Sequence, residues 1–600
     1  MAQFPSLAAV IFGAAFTVGV SVSCGMLLMR RLRVTLYRGE TALFAFLAGS
    51  ACLSLTTFFL SLIHQARAAV FLSGGTVVIA CAVWARGREP RPKSLPALPR
   101  TWFSLFIVVF AAFFLVYFFN ALAPEVSPDG SGYHLGNVAR YWRESGFAWR
   151  HHSIYAHLSQ GLEMLFLVAF AFGRHSAAAL VHCAFQAALP LLIVCYGRRF
   201  GFPAPAACAA ILVYASPVAG IDGSSAYNDV AVATLLFAGF YLLQVWNELH
   251  HDNILILIGL LVGFAGAVKY SAGLVLPFAV GFVWFRASPD KVRARLQALL
   301  PLLLASAILI VPWLLRNWLW LGNPAAPFLN LWFPNPYFQP AEERQYLADL
   351  GHYPHVNHYW KIPLQVTVLG GLVPGMIGPV FLLAPFALLA LRHPHGRRLL
   401  LAAAVFAVPA YWNTDTRFLI PALPPLALAM GLGMANSWGV MPALALFQAV
   451  VCLPGVLSLY CAPYAWRITS IPVRAALRRE PEAVFLARRL PGFALKSAIE
   501  RNVAPGQQVF SFAGRPEAYL DRDIMVGYES SLGSRLETAL RSAAAQSARR
   551  AAASELKASG IAFLLVDDAD PAARDMKQYS NLWGITELAE AHGTRFYRID

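Results

Sequence analysis

The sequence predicts an α-helical polytopic membrane protein of about 14 transmembrane helices, followed by a small C-terminal α/β domain. Three observations lead there. Of 600 residues, 58% are hydrophobic and 13% charged, and the mean hydropathy is +0.56; a soluble domain carries about a quarter charged residues. Apolar runs of roughly 17 residues or more, enough to cross a bilayer, recur along most of the length. Basic residues gather in short loops between runs, which marks those loops as cytoplasmic. The formal net charge of +16 is therefore read as membrane orientation. No basic stripe interleaved with aromatics lies outside the runs, which argues against nucleic acid as a partner. The 8 cysteines (Cys24, Cys52, Cys81, Cys183, Cys195, Cys208, Cys452 and Cys461) sit in or beside apolar runs. Their spacing fits no metal or redox motif, so they read as small core residues without a disulfide framework.

In order, the first run covers 7–29. Arg30 is the first basic residue and follows the run, whereas a signal peptide carries its charge in front. A retained helix with its N-terminus outside is expected, and Arg30, Arg31, Arg33 and Arg38 then form a cytoplasmic loop. Runs at 42–63 and 68–85 lead to a second such loop at 86–100, with Arg88, Arg91, Lys93 and four prolines. The run 101–121 exits outside. There, 138–144 and 159–172 are too short to cross and are expected as two helices lying along the surface. Spans follow at 177–196, 204–220, 229–247, 253–268, 271–286 and 298–316, with Arg198, Arg199 and the basic segment 286–295 inside. Parity places the turn-rich segment 317–370 outside, with one short helix at 341–350. Spans at 372–391, 398–412, 418–435 and 440–461 complete the count, with Arg392, Arg397 and Arg398 inside.

Beyond 462 the composition changes. A helix over 480–501, strands at 509–512 and 523–526, an Ala-rich helix over 534–559, and strands at 561–566 and 594–599 make an α/β domain on the outer side. It has no Gly-rich phosphate loop, and no site of its own is evident.

The polar stretch 123–146, APEVSPDGSGYHLGNVARYWRESG, brings three acids, a histidine, two tyrosines and two arginines together between apolar runs. Further polar residues stand at the ends of later runs, at Asp229, Lys269, Arg316 and Arg417. Six segments occur in a telling order: PDGSGYHLGNVARYW (128–142), GRRFG (197–201), YNDVAVATLLF (227–237), GFAGAVKYSAGLVLP (263–277), PWLLRNWLWLGNPAAPF (312–328) and NTDTRFLIPALPPLAL (413–428). Together they resemble the GT-C superfamily of integral-membrane glycosyltransferases. The resemblance is strongest to the phospholipid-carrier-dependent branch, related to protein O-mannosyltransferases and the lipid A aminoarabinose transferase. It covers roughly 101–435.

The resemblance implies a GT-C-like catalytic module over 101–462, with outer loops 122–175 and 317–370. Residues 1–100 are then additional transmembrane helices, and 463–600 a periplasmic α/β domain. The implied activity is inverting transfer of a hexosyl or pentosyl group from a polyprenyl-phosphate sugar to a glycan, lipid or protein acceptor. The implied place is a bacterial inner membrane, with the N-terminus and C-terminal domain on the periplasmic side. Many relatives have two adjacent acids in the first loop. Here Val-Ser-Pro separates Glu125 from Asp129, so either can fill that role.

Asp129 is the first catalytic candidate, a carboxylate on an outer loop able to deprotonate or orient an acceptor hydroxyl; its quieter reading is an Asx turn before Gly130. Glu125 assists it or is a solvated loop acid. A divalent cation, Mg or Mn, is an open expectation, with Glu125 and Asp129 as ligands. Asp229 is expected as the family's second acid, or as an acid favoured at a helix N-terminus. Tyr133 and His134 are expected at substrate. Lys269, followed by Tyr270, holds the donor phosphate or snorkels. Arg316 beside Asn317 and Arg417 beside Asp415 suit phosphate oxygens, although Asp415 and Arg417 also suit each other. His151, His152 and His157 match no standard ligand spacing. A rival reading is a transporter or flippase of a lipid-linked sugar, but no internal repeat supports it.

Overall fold

The computed structural model describes residues 5–86, 92–287, 292–351, 356, 358–435, 439–543 and 545–600. Arg88, Arg91 and residues 288–291 of the basic segment lie outside them. The chain runs through α1 (Leu7–Arg31), α2 (Arg38–Leu62), α3 (Ala68–Arg86) and α4 (Arg100–Leu122). A π-helical turn (Gly130–His134) leads into α5 (Leu135–Glu144). There follow α6 (Gly161–Arg199), α7 (Pro203–Tyr214), α8 (Pro217–Gly223), α9 (Asp229–Leu249), α10 (Asn253–Val268), α11 (Val275–Arg286) and α12 (Val292–Leu321).

Among the described residues, eight helices are long and apolar enough to cross a membrane, or up to nine with the bent pair α7–α8. The other five expected runs are shorter or broken. α10 stops at Val268, before Lys269 in extended backbone. Residues Pro379–Arg392 wind as a 3-10 helix around Pro385, Pro409 opens a new turn after Pro394–Ala407, and Val440–Val451 ends shortly before Pro454. Proline lacks the N–H and crowds the preceding turn, so apolar length alone overstates helix length here.

Small residues let the helices touch. A Cβ at Gly25 would overlap the backbone at Ala45, and one at Gly49 the backbone at Ser21, which locks α1 against α2. α6 bends at Arg174 (φ 55°, ψ −146°), whose guanidinium lies 5.4 Å from the Trp142 ring and 5.3 Å from that of Phe170. The limb before this bend matches the expected helix at 159–172, but its surface position is corrected. Residues 162–170 are all buried, with Gly13 of α1 against Ala169 and Gly161 against Ala267 of α10.

The C-terminal sheet has the order β2-β1-β3-β5-β4, from β1 (Gln508–Ser511), β2 (Asp523–Val526), β3 (Ile561–Asp567), β4 (Ile585–Ala591) and β5 (Thr594–Ile599). β1 pairs in parallel with β2 and β3, while β5 runs antiparallel to β3 and β4. Two expected helices are corrected. The one over 480–501 is split by Pro491 into Glu482–Arg489, a 3-10 turn and Lys496–Asn502, and the one over 534–559 is two helices, Ser531–Ser542 and Gln546–Ala558. β4 and the helix Pro571–Gln578 were not expected; β4 alternates exposed and half-buried residues too weakly to stand out.

This domain is clamped onto the segments around 123–175. Arg150 bonds Glu517 at 2.6 Å, the Ser153 hydroxyl donates to Glu529 at 2.5 Å, and Arg140 pairs with Asp523. The Tyr519 hydroxyl donates to the Glu125 carbonyl at 2.8 Å. The two halves therefore share one polar interface, and that interface supports the loop from which Asp129 projects.

Candidate active site

The loop after α4 is folded by its own acid. Glu125 is buried, and its Oε1 accepts from the N–H (2.7 Å) and hydroxyl (2.5 Å) of Ser127 while Oε2 accepts from the Ala226 N–H (2.6 Å). Burial pushes its carboxyl up, and those donors pull partly back. Gly130 packs on this knot, where a Cβ would lie 2.5 Å from Ser127 Oγ. The loop is thereby held with Asp129 at the start of the π-helical turn.

Two ion pairs face each other across one aromatic ring. Asp129 Oδ2 accepts from Arg417 Nη1 at 2.6 Å and from the Tyr133 hydroxyl at 3.4 Å. The Asp129 N–H donates to the Tyr227 hydroxyl at 3.2 Å. Asp229, at the first turn of α9, accepts from Lys269 Nζ at 2.5 Å. The Phe418 ring lies 4.3 Å from Lys269 Nζ and 5.3 Å from Arg417 Cζ, so both cations share it. The carboxylates differ in access: Asp229 is 4% exposed and Asp129 is 26% exposed. Burial pushes the Asp129 carboxyl up, but Arg417, then His134 and Lys269, outweigh it and hold it below the usual aspartate range. Asp415 stands 3.6 Å from Arg417 Nε, at the edge of this group.

Lys269 also divides two cavities. On one side is a groove lined by Asp229 and by apolar Val232, Leu236, Val275, Phe406 and Phe418. On the other is a cavity lined by polar residues that include Tyr133, His134, Gln160, Glu163 and Asn228. The Tyr133 ring is stacked on Tyr155 at 4.0 Å, and His134 Nδ1 meets Glu163 Oε1 at 2.5 Å.

Of the residues singled out in the sequence, Asp129, Tyr133, His134, Asp229, Lys269, Asp415 and Arg417 come together. Arg316, Asn317 and Tyr270 form a separate knot. The Arg316 side chain is ringed by Trp313, Trp320 and Phe147 at 4.7–5.3 Å and donates to the Ala156 carbonyl. Asn317 donates to the His157 and Ala326 carbonyls and to the Tyr270 hydroxyl. Among these, Tyr270 alone reaches the polar cavity. Glu125, one of the two expected cation ligands, is not placed to serve as one. Both Glu125 oxygens are taken by N–H and O–H donors, and one oxygen each of Asp129 and Asp229 by Arg417 and Lys269. Among the described residues, no three His, Cys, Asp or Glu side chains converge. His157 accepts no such role either, since its Nε2 meets the Arg150 carbonyl and burial pushes its pKa down to about 3.

Glu163 was missed, as was the buried pair behind Asp229, in which Asp222 Oδ1 accepts from the Val230 N–H and stands 3.7 Å from His182 Nε2. Acids and histidines inside otherwise apolar runs were the available signal.

The family model described as Domain of unknown function (DUF8201) matches residues 7–353. It runs through residue 100 and so includes the three N-terminal helices. No curated protein matches the sequence. Among solved structures, the crystal structure of ArnT from Cupriavidus metallidurans bound to undecaprenyl phosphate is similar, with a TM-score of 0.51 and 16% identity over 82% of this chain and 98% of that one. The archaeal oligosaccharyltransferase AglB from Archaeoglobus fulgidus, in complex with an inhibitory peptide and a dolichol-phosphate, gives 0.43 and 13% over 82% of this chain and 74% of that one. At 16% identity the first likeness is one of fold alone. The second is weaker and carries nothing further.

Proposed function

The chain belongs to the DUF8201 family, and from its fold and this site we propose that it is an inverting glycosyltransferase. It moves a hexosyl or pentosyl group from a polyprenyl-phosphate carrier to a glycan, lipid or protein acceptor at the periplasmic face of a bacterial inner membrane. One observation carries the reading: Lys269 stands between an apolar groove and a polar cavity, with Arg417 beside it on Phe418. The groove suits an isoprenoid chain, the two cations its phosphate, and the polar cavity its sugar. We read the five shorter apolar segments as further crossings, which gives about 14 in all.

The chemistry follows from the pairs. A phosphodiester entering between Lys269 and Arg417 takes over N–H donors now given to Asp229 and Asp129. Donor binding thereby frees Asp129, whose ionised carboxylate orients the acceptor hydroxyl toward the anomeric carbon. Attack opposite the phosphate inverts that carbon. Positive groups at the departing phosphate, where charge develops, supply the larger electrostatic share. In this reading that charge falls to Lys269 and Arg417.

The test is transfer from a panel of radiolabelled polyprenyl-phosphate sugars in membranes, wild type against Asp129→Asn at equal protein level. Transfer by the wild type and a loss of about 100-fold or more in the variant is expected. Absence of transfer from every donor by the wild type sinks the enzyme reading. Full activity in the variant removes Asp129 from it.

A further inference from the structure

We propose that the buried His134–Glu163 pair is the proton acceptor of the reaction, taking the hydrogen of the acceptor hydroxyl within the polar cavity beside Lys269. The inference rests on the glycosyltransferase reading and assigns a step which that reading leaves open.

The geometry is that of a base held by an orienting carboxylate. His134 Nδ1 and Glu163 Oε1 are 2.5 Å apart, and both side chains are 3% exposed. A carboxylate facing Nδ1 places the ring proton there and leaves the lone pair on Nε2. Among the described residues no group bonds to Nε2, and the ring lines the polar cavity. Nucleophile activation elsewhere uses the same order of groups, a base within reach of the reacting hydroxyl and a third group fixing the base. Glu163 Oε2 is buried and, among the described residues, has no partner.

The backbone points the same way. His134 closes the π-helical turn, in which the Leu135 N–H bonds to the Gly130 carbonyl. Such turns are rare and gather at functional sites. Asp129 is the weaker base, because the cations beside it hold its carboxyl low and its Oδ2 still receives the Tyr133 hydroxyl after Arg417 turns to the donor phosphate. That suits orientation rather than proton uptake. The charged and titratable groups around the ring are Glu163 from α6, Lys269 across the cavity, Asp129 and Tyr133 from its own segment, Tyr227 at 5.8 Å, and Asp229 with His182 behind.

In the step, the hydroxyl hydrogen passes to Nε2 as its oxygen bonds to the anomeric carbon. The bond from that carbon to the phosphate oxygen breaks, and its electron pair leaves on the phosphate, held by Lys269 and Arg417. The imidazolium, stabilised by Glu163, later returns the proton to water.

The experiment measures kcat and KM for transfer across pH in lipid nanodiscs, for wild type, His134→Gln and Glu163→Gln. His134→Gln is expected to lose about 10²- to 10⁴-fold in kcat with donor KM little changed, and to lose the acid limb of the pH profile. Glu163→Gln is expected to keep that limb and move it to lower pH, because the imidazolium loses its anion. A His134→Gln enzyme with the wild-type rate, or with its acid limb intact, overturns the proposal. Should that variant not fold, an unmoved limb in Glu163→Gln overturns it instead. Absence of transfer by the wild type brings down the parent reading and this proposal together, and so is distinct from failure of the pair alone.

Discussion

Replacing Lys269 by methionine separates what the Lys269–Asp229 pair does for stability from what it does for catalysis. At 2.5 Å and an effective dielectric of about 20, the Coulomb attraction is roughly 7 kcal/mol. Most of it offsets the desolvation of two charges, so the pair's net contribution is much smaller. Removing one partner is a different matter, because Asp229 is 4% exposed and is left charged without its cation. Breaking a buried pair in that way costs about 3–5 kcal/mol. Lys269→Met is therefore expected to unfold at a clearly lower temperature in detergent, and to lose transfer. The double variant Lys269→Met/Asp229→Asn removes the orphaned charge and is expected to recover most of the stability, with asparagine still suited to a helix start. Transfer is expected to stay lost, because the phosphate has no cation at the mouth of the groove. The reasoning fails if Lys269→Met is as stable as wild type, or if the double variant regains transfer along with stability.

Two further outcomes follow. Glu125→Gln puts an amide where three N–H and O–H donors converge on Glu125 oxygens, so about 1–3 kcal/mol of stability is expected to go; thermal unfolding against wild type reads this, and an unchanged midpoint refutes the knot. Glu529, buried against Ser153, is pushed up from an ordinary value of 4.5 by burial and then by Glu517. A raised acid contributes its full stability below its unfolded value and loses it as pH rises through the raised one. The interface is thus expected to weaken as pH rises from about 4.5 to about 8, and Glu529→Gln to flatten that dependence in hydrogen exchange at residues 150–160.

The membrane character and most helix positions were legible because they depend on summed apolarity, which each stretch carries locally. Lys269, Asp229, Asp129 and Arg417 were legible as polar residues at run ends. Their partnerships were not, since Asp129 meets Arg417 across 288 positions of chain. Reading Asp415 as the partner of Arg417 on proximity in sequence captured only its longer contact, at 3.6 Å. Glu163 stayed hidden because a single acid in an apolar run gives no hint of the histidine it meets. Arg316 and Asn317 looked like a phosphate site because a terminal arginine reads the same whether it faces a ligand or a cage of tryptophans. Where runs contained proline, apolar length stood in for helix length and overstated it.

The Tyr519 hydroxyl on the Glu125 carbonyl joins points 394 residues apart. On a translating ribosome, at about 5–20 residues per second, that interval lasts roughly 20–80 s. Through all of it α4 is already made and the Asp129 loop lacks its strap. The domain that grips the loop is translated well after the helices beneath it, so completing the site is a late event in the biogenesis of each molecule. A chain arrested before residue 519 carries both ion pairs in its sequence and lacks the clamp that holds one of them in place, which makes translation itself the timer for when this site closes.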